Sequence, residues 1–119
     1  MSVDTGNPNP FLEISDSFAE GKEMGSPRFN EFLRLGIEHW IGLAEADGFF
    51  KPTYEHLVKK YKKAFEGGYD EKVEFCADEA GYLVKMAEEL RGMHDEEGAL
   101  RLEDRAKNWN TVPMSFTMF

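Results

Sequence analysis

Apolar residues recur every three to four positions through the middle of this chain. Phe29, Phe32, Leu33, Gly36, Ile37, Trp40, Ile41 and Ala44 fall on one stripe of a 3.6-residue period, which predicts an amphipathic helix from Ser26 to Asp47. Ser26 suits its N-cap and Pro27 its first position, where a missing N–H costs nothing. Asp47-Gly48 ends it. Tyr54, Leu57, Val58, Tyr61, Ala64 and Phe65 form a second stripe from Pro52 to about Glu66, and Gly67-Gly68 stops it. The third and longest stripe, about Asp70 to Arg91, contains Val73, Cys76, Ala77, Ala80, Leu83, Val84, Ala87 and Leu90. Gly92 and His94-Asp95 mark a bend or break. A fourth stripe follows, from about Asp95 to Asn108, with Ala99, Leu102, Ala106 and Trp109. The last two are read either as two helices or as one bent helix.

The flanks follow a different pattern. Residues 1–25 contain Pro8, Pro10 and several glycines among Phe11, Leu12, Ile14, Phe18 and Met24. Ser15 or Asp16 would cap one short helical turn, and the rest reads as an extended arm. A plain linker has no use for five large apolar side chains, so the arm is expected to dock. After Asn108, Val112, Met114, Phe116 and Met118 alternate with other residues, and period two predicts one face of a strand. The expectation is an all-α fold: a small bundle of three to four antiparallel helices over 26–108, an extended N-terminal arm over 1–25 and an extended apolar tail over 109–119.

A chain of 119 residues fits one domain, and 41% hydrophobic content supports a real core. The formal net charge of −9 argues against direct binding to nucleic acid or to an anionic membrane. A lone cysteine, Cys76, forms no internal disulfide and points to a reducing, cytoplasmic setting. The N-terminus lacks the basic and apolar regions of a signal peptide, and no apolar run is long enough to span a bilayer.

Several chemistries fail on spacing. With Gly48 at the sixth position of an EF-hand loop, Leu43 and Tyr54 occupy the first and twelfth, where calcium needs carboxylates. Di-iron bundles need Glu-x-x-His, but Gly36, Thr53 and Arg91 stand three residues before His39, His56 and His94. No His-x-x-x-His or Cys-x-x-Cys pair serves zinc. Cys76 lies within an apolar stripe, where a thiol behaves as a small hydrophobe. His39 and His56 read as helix-boundary residues, and His94 as a cation favoured near a helix C-terminus. No catalytic residue, metal or cofactor is expected.

Charge patterning leaves two clusters. Lys59, Lys60, Lys62 and Lys63 surround Tyr61; Glu55–Lys59 and Lys62–Glu66 are i, i+4 pairs that fit a solvated face. The basic cluster would otherwise meet an acidic protein surface, including an acidic face of this molecule. Glu71, Glu74 and Asp78 share one face of the third helix, and a basic partner would account for them. The functional expectation is a non-catalytic protein–protein interaction module: an accessory or regulatory subunit, or an inhibitor, acting on a larger complex. One alternative is the small subunit of a heteromeric enzyme that completes its partner's active site. Another is an acidic, phosphate-mimicking inhibitor of a nucleic-acid enzyme. The expected contact residues are Phe11, Phe18, Trp109, Met114, Phe116, Met118 and Phe119, with Glu71, Glu74 and Asp78. The partner is another protein, with a basic surface in the sharper version, and homo-oligomerisation is compatible with the sequence.

Overall fold

A computed structural model describes residues 9–22 and 25–116. The described residues form five α-helices: α1 (Pro10–Ala19), α2 (Ser26–Ala46), α3 (Lys51–Glu66), α4 (Tyr69–Gly92) and α5 (Glu96–Thr111), followed by a 3-10 turn, Val112–Ser115. There is no strand among them. α2 packs along α3 and α4 along α5, giving two hairpins. α1 touches both α2 and α5 and so joins the hairpins at one end.

The N-terminal arm is corrected over residues 10–19, which are helical. The signal lies in Asn9-Pro10: the Asn9 Oδ1 accepts the N–H groups of Phe11 (2.9 Å) and Leu12 (3.3 Å), and Pro10 occupies the first turn. Phe11, Ile14 and Phe18 then share one face and are buried. Asn108 donates to the Ala19 carbonyl at 2.7 Å, and Arg105 pairs with Asp16 and Glu20, so α5 holds the end of α1.

The C-terminal tail is also corrected. α5 continues to Thr111 and tightens into the 3-10 turn, because Pro113 has the φ that a helix start requires. Threefold winding replaces the alternation: Val112 and Pro113 are buried while Met114 is 84% exposed. Phe116 packs on Phe29 at 4.9 Å between ring centroids, and the Ser115 hydroxyl accepts the Gly25 N–H at 2.9 Å. Residues 112–116 therefore close the chain's own core. Residues 1–8, Met24, Met118 and Phe119 lie outside the described residues.

α4 and α5 are separate helices. Between them the Asp95 N–H donates to the Leu90 carbonyl and the His94 N–H to that of Arg91. This is a Schellman ending, with His94 at φ +62° in the left-handed position usually given to glycine. Asp95 then caps α5 by accepting the Gly98 N–H at 2.9 Å.

One continuous core joins the five helices. Phe11, Phe18, Phe29, Phe32, Tyr61, Phe75 and Trp109 supply its rings, and Cys76, Ala64, Ala80 and Ala106 fill between them. Gly36 is required here: a Cβ would run into the Tyr61 and Phe11 rings. The buried face of α4 differs from the expected stripe. It includes Phe75 and Lys72, while Ala77 and Val84 face outward. Trp40 lies at the edge of the core, half-buried, stacked on Tyr54 of α3 and edge-on to Phe11.

Candidate functional site

The structure divides the expected contact residues into three groups. Phe11, Phe18 and Trp109 are buried in the core, and Phe116 is half-buried against it. Met114 alone among the described apolar ones stands in solvent. Glu71, Glu74 and Asp78 line the seam between α3 and α4 beside the basic cluster, with Glu74 and Asp78 still exposed to solvent.

That seam resolves both charge clusters. Lys63 pairs with Glu74 at 3.0 Å and Lys60 with Glu79 at 3.4 Å, while the Lys60 ammonium lies 5.3 Å from the Phe75 ring centroid. Glu71 accepts the Gly68 N–H at 2.8 Å and so closes the start of α4; this backbone bond holds its carboxyl below the usual range. Lys72 adds a contact without a sequence signal. It is 2% exposed, and its ammonium donates to the carbonyls of Ala64 and Gly67, both at 2.7 Å, so it caps the end of α3. Burial holds its pKa below the ordinary lysine value. The expected pairs Glu55–Lys59 and Lys62–Glu66 are not among the ion pairs of the described residues; the α3 lysines that pair, Lys60 and Lys63, reach across to α4.

The KKYKK run splits around Tyr61, which enters the core. Lys60 and Lys63 turn toward α4. Lys62 joins Lys51 on the other side, beside a groove of about 580 Å³ between α2 and α3, and Lys59 stands between, bordering both this groove and the α3–α4 seam. Ile41, Ala44 and Val58 supply its apolar surface, with Glu45 and Glu55 at its margins. Lys51, Lys59 and Lys62 form no ion pair with a carboxylate among the described residues.

The α2–α3 turn carries a second exposed apolar feature. Phe49 is 84% exposed and Phe50 49% exposed, with ring centroids 4.8 Å apart. The Asp47 carboxylate accepts the N–H groups of both, so the turn is fixed from within. From Phe50 a chain of ring contacts leads through Tyr54 and Trp40 to Phe11 and Tyr61 in the core. This is the loop whose spacing fails for calcium, and its exposed aromatic pair and the adjoining groove are not among the expected contact residues. Helical period alone marks Ile41 and Val58 as core, and only the packing shows that α2 and α3 project beyond it.

The reactive side chains are poorly placed for chemistry. Burial, assisted by the Glu79 carboxylate, pushes the Cys76 thiol up to about 12. Burial likewise raises the Tyr61 hydroxyl above its ordinary range. His39 Nδ1 lies 3.2 Å from Asn9 Nδ2, and its ring packs 4.9 Å from that of Phe11. Among the described residues no three His, Cys, Asp or Glu side chains converge in a metal-binding group, and no helix is long and apolar enough to cross a membrane. No family model, curated protein or solved structure matches the chain.

Proposed function

We propose that the chain is a non-catalytic protein-interaction module, an accessory or regulatory subunit or an inhibitor, and that it meets its partner through the α2–α3 hairpin. The observation that carries this reading is the exposure of Phe49 and Phe50 on a turn whose backbone is already fixed. Exposing adjacent aromatic rings is costly in water, and aromatic anchors on rigid elements are the residues that dominate protein interfaces. The small-subunit alternative uses the same surface. The phosphate-mimicking alternative draws less support, because Glu74 is paired with Lys63 and Glu71 closes a helix start. The same pairing weakens the case for a basic partner at that seam.

The test is site-specific photocrosslinking in the native cell. A photoreactive side chain at Phe49 should give one discrete adduct, and the same group at Met93, on the tip of the other hairpin, should not. Phe50→Ser combined with the Phe49 probe should remove the adduct without changing the circular dichroism spectrum. Equal labelling from both tips would remove the basis for assigning the contact to this hairpin.

A further inference from the structure

We infer that the groove between α2 and α3 receives an acidic amphipathic helix from a different protein. The inference rests on the interaction-module reading and names the chemistry of the partner.

The geometry sets the length. On α3 the lining runs from Lys51 to Lys62, twelve residues, or about 16 Å of helix axis. That accommodates about three turns of a docked helix, enough for apolar anchors at i, i+3 or i+4, and i+7. Ile41 and Val58 offer those anchors an apolar floor, and Ala44, the smallest side chain there, leaves the depth.

The charge sets the sign. The chain as a whole is −9, yet residues 26–66 hold seven Lys and Arg against six Asp and Glu. Within α3 the two inward lysines, Lys60 and Lys63, already have carboxylates on α4. Among the described residues Lys51, Lys59 and Lys62 pair with no carboxylate; all three border the groove, Lys59 from the edge it shares with the α3–α4 seam, and Glu45 and Glu55 are the two carboxylates lining it. An incoming helix with glutamates flanking its apolar stripe complements this excess. The same charge disfavours a second copy docked groove to groove, since a two-fold axis would bring like surplus against like. A copy docked through its acidic α4 would be a head-to-tail contact, which builds a ring or an open filament and would appear as self-association in the experiment below.

The experiment uses the full chain and three synthetic 14-residue helical peptides: leucine anchors flanked by glutamate, the same anchors flanked by lysine, and a scrambled glutamate version. Fluorescence anisotropy measures affinity and 15N chemical shifts locate the contact. The glutamate helix should bind at least tenfold more tightly than the lysine helix or the scramble. It should shift the amides of residues 41–45 and 51–62, and weaken as salt is raised. Lys59→Glu with Lys62→Glu, both exposed, should reverse the preference while leaving the thermal midpoint unchanged. Equal binding of the glutamate and lysine helices, shifts centred elsewhere, or no shift at millimolar peptide would overturn the inference. Salt-sensitive self-association that the double reversal abolishes would assign the groove to a second copy and overturn it equally. A Phe49 crosslink that persists after any of these results leaves the interaction-module reading standing, and a missing crosslink with selective glutamate-helix binding would do the reverse.

Discussion

The α2–α3 hairpin meets through rings, whereas α4–α5 meets through alanine. Beyond the shared core, α2 and α3 touch by way of Trp40 and Tyr54, with Phe49 and Phe50 at the tip. The outer half of α4–α5 buries Ala87, Gly98 and Ala99, and Arg91 clamps it by pairing with both Glu96 and Glu103. Small side chains let two helices approach closely. Between α2 and α3 the groove lined by Ile41 and Val58 lies open. Charge follows the same division. Residues 69–111 carry twelve Asp and Glu against six Lys and Arg, while residues 26–66 carry a slight basic excess. One hairpin is thus a closed, acidic strut, and the other presents an apolar groove, lysines and exposed phenylalanines.

The sharpest way to break this contrast is through the two tryptophans. Trp109 is 2% exposed at the base of α5, surrounded by Phe18, Phe32 and Phe75. Trp109→Ala should cost about 3–5 kcal/mol by urea denaturation. Trp40, half-buried at the core's edge, should cost roughly 2 kcal/mol when replaced by Ala. Equal losses would mean that the outer part of α2–α3 belongs to the core as fully as the base of α5 does.

Lys72→Met tests the joint between the hairpins. The change leaves the carbonyls of Ala64 and Gly67 without their donor, and should cost about 1–3 kcal/mol. A variant as stable as the parent would show that water replaces the ammonium there.

These residues also show how much of the fold the sequence makes legible. To within a residue, the start of α2 and both ends of α3 follow from period, proline and glycine, since each is a local signal. By contrast, Ser26 begins α2 with Gly25 as its cap, the α4–α5 break turns on His94 and α5 runs on to Thr111. α1 is hidden because its cap, Asn9, sits inside a proline-rich stretch that otherwise reads as extended. The inward turn of Phe75 and Lys72 is hidden because it depends on where α3 ends in space. The α2–α3 groove is hidden for a related reason. Ile41 and Val58 continue their stripes in phase, and periodicity does not say that no third element among the described residues covers them.

His39 sharpens the comparison through pH. Burial against α1 holds its pKa below the ordinary value of about 6.5. The native state therefore binds fewer protons than the unfolded chain between the two pKa values. The resulting stability is fully present above about pH 6.5 and is lost as pH falls through the folded value. His39→Gln keeps a hydrogen-bonding group near Asn9 but does not titrate. Denaturation midpoints of the parent and variant, taken from pH 7.5 down to 5, should diverge, with the parent losing more. Parallel curves would place the acid sensitivity in the carboxylates alone. His94 on the other hairpin should add about 1 kcal/mol when changed to Gly, which takes its φ of +62° without strain.

The smallest effect compares one glycine from each hairpin. Gly42 on α2 and Gly81 on α4 both lie inside helices, and a Cβ at either would meet nothing within 4 Å. Alanine at each should therefore stabilise by about 0.5–1 kcal/mol, through the backbone freedom that glycine leaves in the unfolded chain. The two sites share no contact, so the double variant should show the sum. If both helices are equally formed in the native state, the two gains will match, since helix propensity acts locally. A gain at Gly81 with none at Gly42 would mean that the outer part of α2 frays in the native state. It would then be ordered only when a partner helix lies beside it, and the groove would form during binding rather than before it.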